Sequence, residues 1–119
     1  MAPEACQSEP YTSKSDVWSL GCILYELCTL KHAFHADNLL GLVFKIVQDK
    51  QDPIPSDYSK ELADLIDLLL TKDPKNRPSV VQILKMDIVR QKMADFVKSK
   101  GTTLFEGNKL FKKQRPTIV

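Results

Sequence analysis

SKSDVWSLGCILYELCTL, residues 13–30, is the stretch on which the fold turns. Val17, Trp18, Leu20, Cys22, Ile23, Leu24, Tyr25, Leu27, Cys28 and Leu30 put apolar groups on every face of a helix, where a surface helix shows a single stripe. A helix of that composition is expected at the centre of a fold, with neighbours all around it. Ser13 is its expected N-cap, and Asp16, three residues on, sits near the positive end of the helix dipole.

Further along the chain, KHAFHA interrupts the pattern and DNLLGLVFKIVQDK resumes it. Leu39, Leu42, Val43, Ile46 and Val47 follow helical spacing, with Asp37 as the expected cap. QDPIPSDY is a connector stiffened by Pro53 and Pro55. Ser59 then caps a helix whose Leu62, Leu65, Ile66 and Leu69 share one face. DPKNRPS, residues 73–79, is a turn-rich joint, after which Ser79 and Gln82 have capping-box spacing and open a helix carrying Val80, Ile83 and Leu84. Beyond Val89 the pattern weakens. RQKMADFVKSK extends or follows that helix, Gly101 is expected to stop it, and the rest reads as a loosely held tail. TTLF and PTIV are β-prone but too short to argue for strands. The fold class is therefore all-α, with four to five helices around a central apolar one.

Composition excludes a disordered or fibrous chain: 43% of the 119 residues are hydrophobic and 27% charged. The net charge of +2 conceals an asymmetry. Residues 1–89 hold nine lysines and arginines against thirteen acids, whereas 90–119 hold eight against two. A basic extension thus follows a mildly acidic body. Its Phe96, Phe105 and Phe111 lie among lysines but form no nucleic-acid module, so solubility or a loose acidic contact explains it and no nucleic-acid partner is expected. Cys6, Cys22 and Cys28 fit neither a zinc site nor a disulfide framework, which points to a reducing compartment. Glu4, Glu9 and Pro10 stand where a signal peptide needs apolar residues, and no run approaches the roughly 18 apolar residues of a membrane span. A soluble, cytoplasmic protein without a membrane partner is expected.

Three short blocks carry an identity. Ala2-Pro3-Glu4 matches the A-P-E that closes a protein kinase activation segment, and S-D-V-W-S-L-G at 15–21 resembles the start of the central helix of the kinase large lobe. DPKNRPS resembles the late loop of that lobe, with its arginine at Arg77. A tripeptide alone recurs by chance; the three in this order and spacing do not. ELCTLKHAF, residues 26–34, is similar to the NIMA-related serine/threonine kinases in particular. The resemblance covers residues 1–89, as the C-terminal part of a kinase domain from A-P-E onward, and leaves 90–119 as a basic extension, partly helical and then loosely ordered.

The resemblance implies structural roles. Glu4 would pair with Arg77 and pin the activation segment to the lobe; the alternative is two exposed charges worth less than about 1 kcal/mol. Asp16 would face the backbone of the catalytic loop, a role that these residues leave open because they contain no such loop, so helix-start acid is what remains. Ile23 and Leu27 match positions that support the apolar column beneath the adenine site, and simple core packing is indistinguishable from this at the sequence level. Trp18 would pack near Pro3, and Gly21 completes the helix-start signature.

Catalytic and ATP-binding residues are missing from the 119. Phosphoryl transfer in a kinase needs a glycine-rich loop, a strand lysine with its helix glutamate, a catalytic-loop aspartate and asparagine, and a D-F-G metal ligand. Gly21, Gly41, Gly101 and Gly107 form no such loop. His35-Ala36-Asp37 lacks the arginine of H-R-D, and Leu42 stands where the asparagine belongs. Asp95-Phe96-Val97 lacks the glycine of D-F-G and lies after the resemblance ends. His32 and His35 have no partners that would complete a metal site. The expectation is a fragment of a serine/threonine kinase, from a truncated gene model, a splice product or a genomic fragment, with Met1 an internal methionine taken as a start. The complete enzyme would use ATP and Mg²⁺, the fragment neither. Its partners would be protein substrates or docking proteins engaged through the helix at 37–50, and the family adds nucleus, centrosome or cilium as locations. The alternative is a non-catalytic interaction module derived from a kinase lobe.

Overall fold

The computed structural model describes residues 1–114; the β-prone PTIV at 116–119 lies outside them. Six helices follow one another: α1 (Pro3–Cys6), α2 (Ser13–Thr29), α3 (Leu39–Gln48), α4 (Lys60–Leu69), α5 (Val80–Leu84) and α6 (Asp87–Gln114). No strand occurs among the described residues, and none of the helices is long and apolar enough to cross a membrane. The chain divides into two compact units, Met1–Leu84 and a second that begins at Lys85.

In the first unit α2 packs against α4 and α5, and α1 against α3. Their shared core is Ala2, Trp18, Tyr25, Ile46, Ile66 and Leu70, so four successive segments each contribute to one apolar cluster. Trp18 stacks on Phe34 with ring centroids 5.7 Å apart and planes 14° from parallel. Gly21 sets how closely α2 and α4 approach. A Cβ at this position would lie 2.9 Å from Leu69 Cβ and 2.9 Å from Leu70 Cδ2.

Two caps fall one residue away from the expected position. Thr12, extended at φ −135° and ψ 177°, is the N-cap of α2: its side chain accepts from Lys14 N at 3.2 Å, while Ser15 Oγ accepts from Thr12 N at 3.2 Å. Asn38, and not Asp37, caps α3 through Oδ1, 2.7 Å from Gly41 N. Ser59 caps α4 at Leu62 N, and Ser79 and Gln82 bond reciprocally at 3.2 and 2.9 Å, as their spacing implies. The short α1 was not anticipated; Pro3 at its first turn lacks the N–H that a helix start leaves unpaired anyway.

Among the described residues α2 is covered on one side only: Ser15, Val17, Trp18, Gly21 and Tyr25 are buried, whereas Leu20, Ile23, Leu27 and Leu30 form an exposed apolar stripe. One further expectation is corrected. In the second unit the helix does not stop at Gly101 but runs through it to Gln114. A glycine inside a helix costs about 1 kcal/mol relative to alanine and ends a helix only where the backbone turns left-handed.

Gly21→Ala should destabilise the chain by about 1–3 kcal/mol in denaturant unfolding, because overpacking between α2 and α4 outweighs the helix-propensity gain of about 1 kcal/mol. An unchanged or raised midpoint would contradict the close approach.

Candidate functional site

Glu4 lies in α1 and Arg77 in the 73–79 joint, and their side chains meet in the interior, each at most 1% exposed. The contact is bidentate. Arg77 Nη1 donates to Glu4 Oε2 at 2.8 Å and Nη2 to Oε1 at 3.0 Å. The remaining guanidinium donors reach backbone carbonyls: Nε to Thr71 at 2.9 Å, Nη1 to Lys14 at 2.7 Å and Nη2 to Lys72 at 3.1 Å. All five donors that a guanidinium possesses are therefore engaged. Ser15 Oγ adds a hydrogen bond to Glu4 Oε2 at 2.8 Å, and the guanidinium lies 5.2 Å from the centroid of the Trp18 ring. Hydrogen bonds from Arg77 hold the Glu4 carboxyl at about 2, against burial, which pushes it up.

Sequence reasoning named Glu4, Arg77 and Trp18 but missed what surrounds them. Lys14 and Ser15 carry their roles in a carbonyl and a hydroxyl of the capping turn, groups that composition does not flag. Lys72 is the other omission. Its ammonium sits over Phe34 at 4.3 Å and Trp18 at 5.2 Å, and donates to the carbonyls of Ile46 and Lys45 at the end of α3. Burial lowers its pKa to about 8, opposed by Asp49. Lys14 Nζ also reaches the carbonyls of Pro74 and Arg77, which ties the 73–79 joint to the first turn of α2.

Ala2 and Pro3 are buried at the entry to α1, and Trp18, beside the guanidinium, also belongs to the common core with Ala2. The remaining expected residues take no part in the ion pair. Asp16 is exposed and accepts a hydrogen bond from the Tyr11 hydroxyl. Ile23 and Leu27 are 54% and 67% exposed, so neither belongs to the core that this chain builds. His32 pairs with Glu26 at 2.8 Å, and the described residues include no cluster of three His, Cys, Asp or Glu able to hold a metal.

Residues 1–89, which contain the junction, match the family model of the protein kinase domain. The chain belongs to the protein kinase family. It is 50% identical over 109 residues to the probable serine/threonine-protein kinase nek3 of Dictyostelium discoideum, covering 91% of this chain and 10% of that protein. Against serine/threonine-protein kinase Nek5 of Homo sapiens it is 53% identical over 85 residues, 71% of this chain and 12% of the relative. Nek1 of Mus musculus is 44% identical over 97 residues, 82% of this chain and 8% of the relative. The chain is a piece of a NIMA-related serine/threonine kinase and spans about a tenth of the length of these curated relatives.

The acid limb of stability tests the junction. A carboxyl held near 2 instead of 4.5 contributes stability that is complete above pH 4.5 and is lost as pH falls from there toward 2. Glu4→Gln should remove that limb and lower stability at neutral pH by about 3–5 kcal/mol, because the guanidinium is left buried without its anion. Unfolding curves at several pH values read both effects; parallel acid limbs in the two proteins would contradict the pairing.

Proposed function

We propose that the complete protein transfers the γ-phosphate of ATP, with Mg²⁺, to serine and threonine hydroxyls of protein substrates, and that these residues form the base of its large lobe. The observation that carries this reading is the sealed Glu4–Arg77 junction within a stretch that matches a kinase domain. A junction of this kind fixes the end of α1 against α2 and the 73–79 joint, which is the task of a foundation under a catalytic centre. The glycines of these residues form no phosphate loop, so no step of the reaction is assigned to them.

What this chain offers is support and surface. The exposed stripe of Leu20, Ile23, Leu27 and Leu30 is an apolar seat for the catalytic half of the domain. Leu39, Leu40 and Phe44 stand exposed on α3, within the 37–50 segment, and form a docking face for protein partners. The same exposed groups favour a second reading, a non-catalytic interaction module, which requires the chain to be monodisperse and to melt cooperatively alone.

Mg-ATP titrated into the 119-residue chain should give no saturable heat and no rise in melting temperature; either signal would overturn the assignment of chain to foundation. In a longer protein that phosphorylates a test substrate, Ile23→Glu should lower the rate about tenfold or more, equivalent to about 1.4 kcal/mol of barrier, whereas Leu40→Glu should leave basal phosphorylation of a short peptide intact. Equal effects of the two would reject the seat on α2.

A further inference from the structure

The second unit presents its chemistry on one long helix. α6 runs for 28 residues, about 42 Å at 1.5 Å per residue. Met93, Phe96 and Val97 are 51%, 60% and 57% exposed on it. Their spacing of three and four residues puts them on one face, and half-buried Val89, four residues before Met93, extends that face toward the helix start. Bulky apolar groups clustered on one face, unlike scattered single ones, mark a contact surface.

Charge sets the kind of partner. Arg90, Lys92, Lys98 and Lys100 stand on the same stretch against Asp87 and Asp95, and all four cations are exposed. None of the four lies within ion-pair distance of a carboxylate among the described residues. Farther along, the sequence adds Lys109, Lys112 and Lys113 to the helix against Glu106. Solubility accounts for the cations but not for Met93 and Phe96 beside them. Placement around the helix then selects between anionic partners. At about 100° per residue, Arg90 and Lys92 fall on opposite flanks of the apolar face and Lys98 on its far side. A flat anionic surface meets one face with its flanks and leaves Lys98 in water. An acidic groove that closes around the helix meets all three cations. Basic amphipathic helices with bulky anchors at this spacing fit such grooves, whose apolar floor takes the anchors while the rim supplies carboxylates.

We propose that α6 is a docking helix for an acidic protein with an apolar, methionine-lined groove, of the kind that EF-hand sensor proteins open on binding calcium. Met93, Phe96 and Val97 enter the groove, and Arg90, Lys92 and Lys98 pair with carboxylates around it. These six residues lie beyond the stretch that matches the kinase domain. Binding there uses neither nucleotide nor the exposed faces of α2 and α3, so it stands or falls apart from phosphoryl transfer.

The test titrates the full chain with calcium-loaded calmodulin as the probe, followed by calorimetry. One-to-one binding with a Kd below about 10 μM is expected, and it should be lost when a chelator removes the calcium. Phe96→Gln alters an exposed side chain, so the melting temperature should stay unchanged while binding weakens about tenfold or more. Lys92→Gln combined with Lys98→Gln should weaken it about tenfold and flatten its dependence on salt. Vesicles of phosphatidylserine and phosphatidylcholine supply the membrane arm, and the chain should bind them more weakly than it binds calmodulin. A Kd above about 10 μM, equal binding with the chelator present, binding undiminished by either variant, or tighter binding to the vesicles would each overturn the proposal.

Discussion

The bidentate contact between Glu4 and Arg77 is the constraint on which the rest of the first unit depends. Two ions withdrawn from water lose several kcal/mol of hydration each, and mutual attraction alone does not reliably restore that. Here the deficit is met by hydrogen bonding. Three backbone carbonyls and two carboxylate oxygens take the five guanidinium donors, and Ser15 supplies the carboxylate with a further donor. Because those carbonyls belong to Lys14, Thr71 and Lys72, one side chain fixes the start of α2 and the end of the α4 region together. α1 is thereby anchored across 73 residues of sequence.

That anchoring explains the one-sidedness of α2. Its buried face, from Ser15 to Tyr25, meets the junction, the Trp18–Phe34 stack and the Gly21 approach to α4 in succession. Lys72 links the junction to α3, since its carbonyl receives Arg77 while its ammonium covers both aromatic rings and bonds the last carbonyls of α3. Among the described residues nothing covers the opposite face of α2, where Leu20, Ile23, Leu27 and Leu30 stand exposed.

The sequence made the helical class, the joint at 73–79 and the caps at Ser59 and Ser79 legible, because periodicity and capping are local. It misplaced two caps by one residue because Thr12-Ser13 and Asp37-Asn38 each offer two competent side chains, and only backbone dihedrals choose between them. All-round apolarity in α2 could not say which faces this chain covers, so Ile23 and Leu27 came out exposed. The Glu4–Arg77 contact was reachable through the family resemblance alone, since nothing in spacing or propensity links positions so far apart. Lys14 and Lys72 were invisible for a related reason: their roles depend on what the fold brings beside them.

The central claim is that Glu4 and Arg77 act as one unit, and a double-mutant cycle tests it most directly. Unfolding free energies at neutral pH would be compared for the parent chain, Glu4→Gln, Arg77→Met and the double variant. A strongly coupled pair predicts that the double variant loses far less than the sum of the single losses, with an interaction energy of about 2–3 kcal/mol. Single losses that add to within about 0.5 kcal/mol would contradict it and leave the junction as two separate contacts.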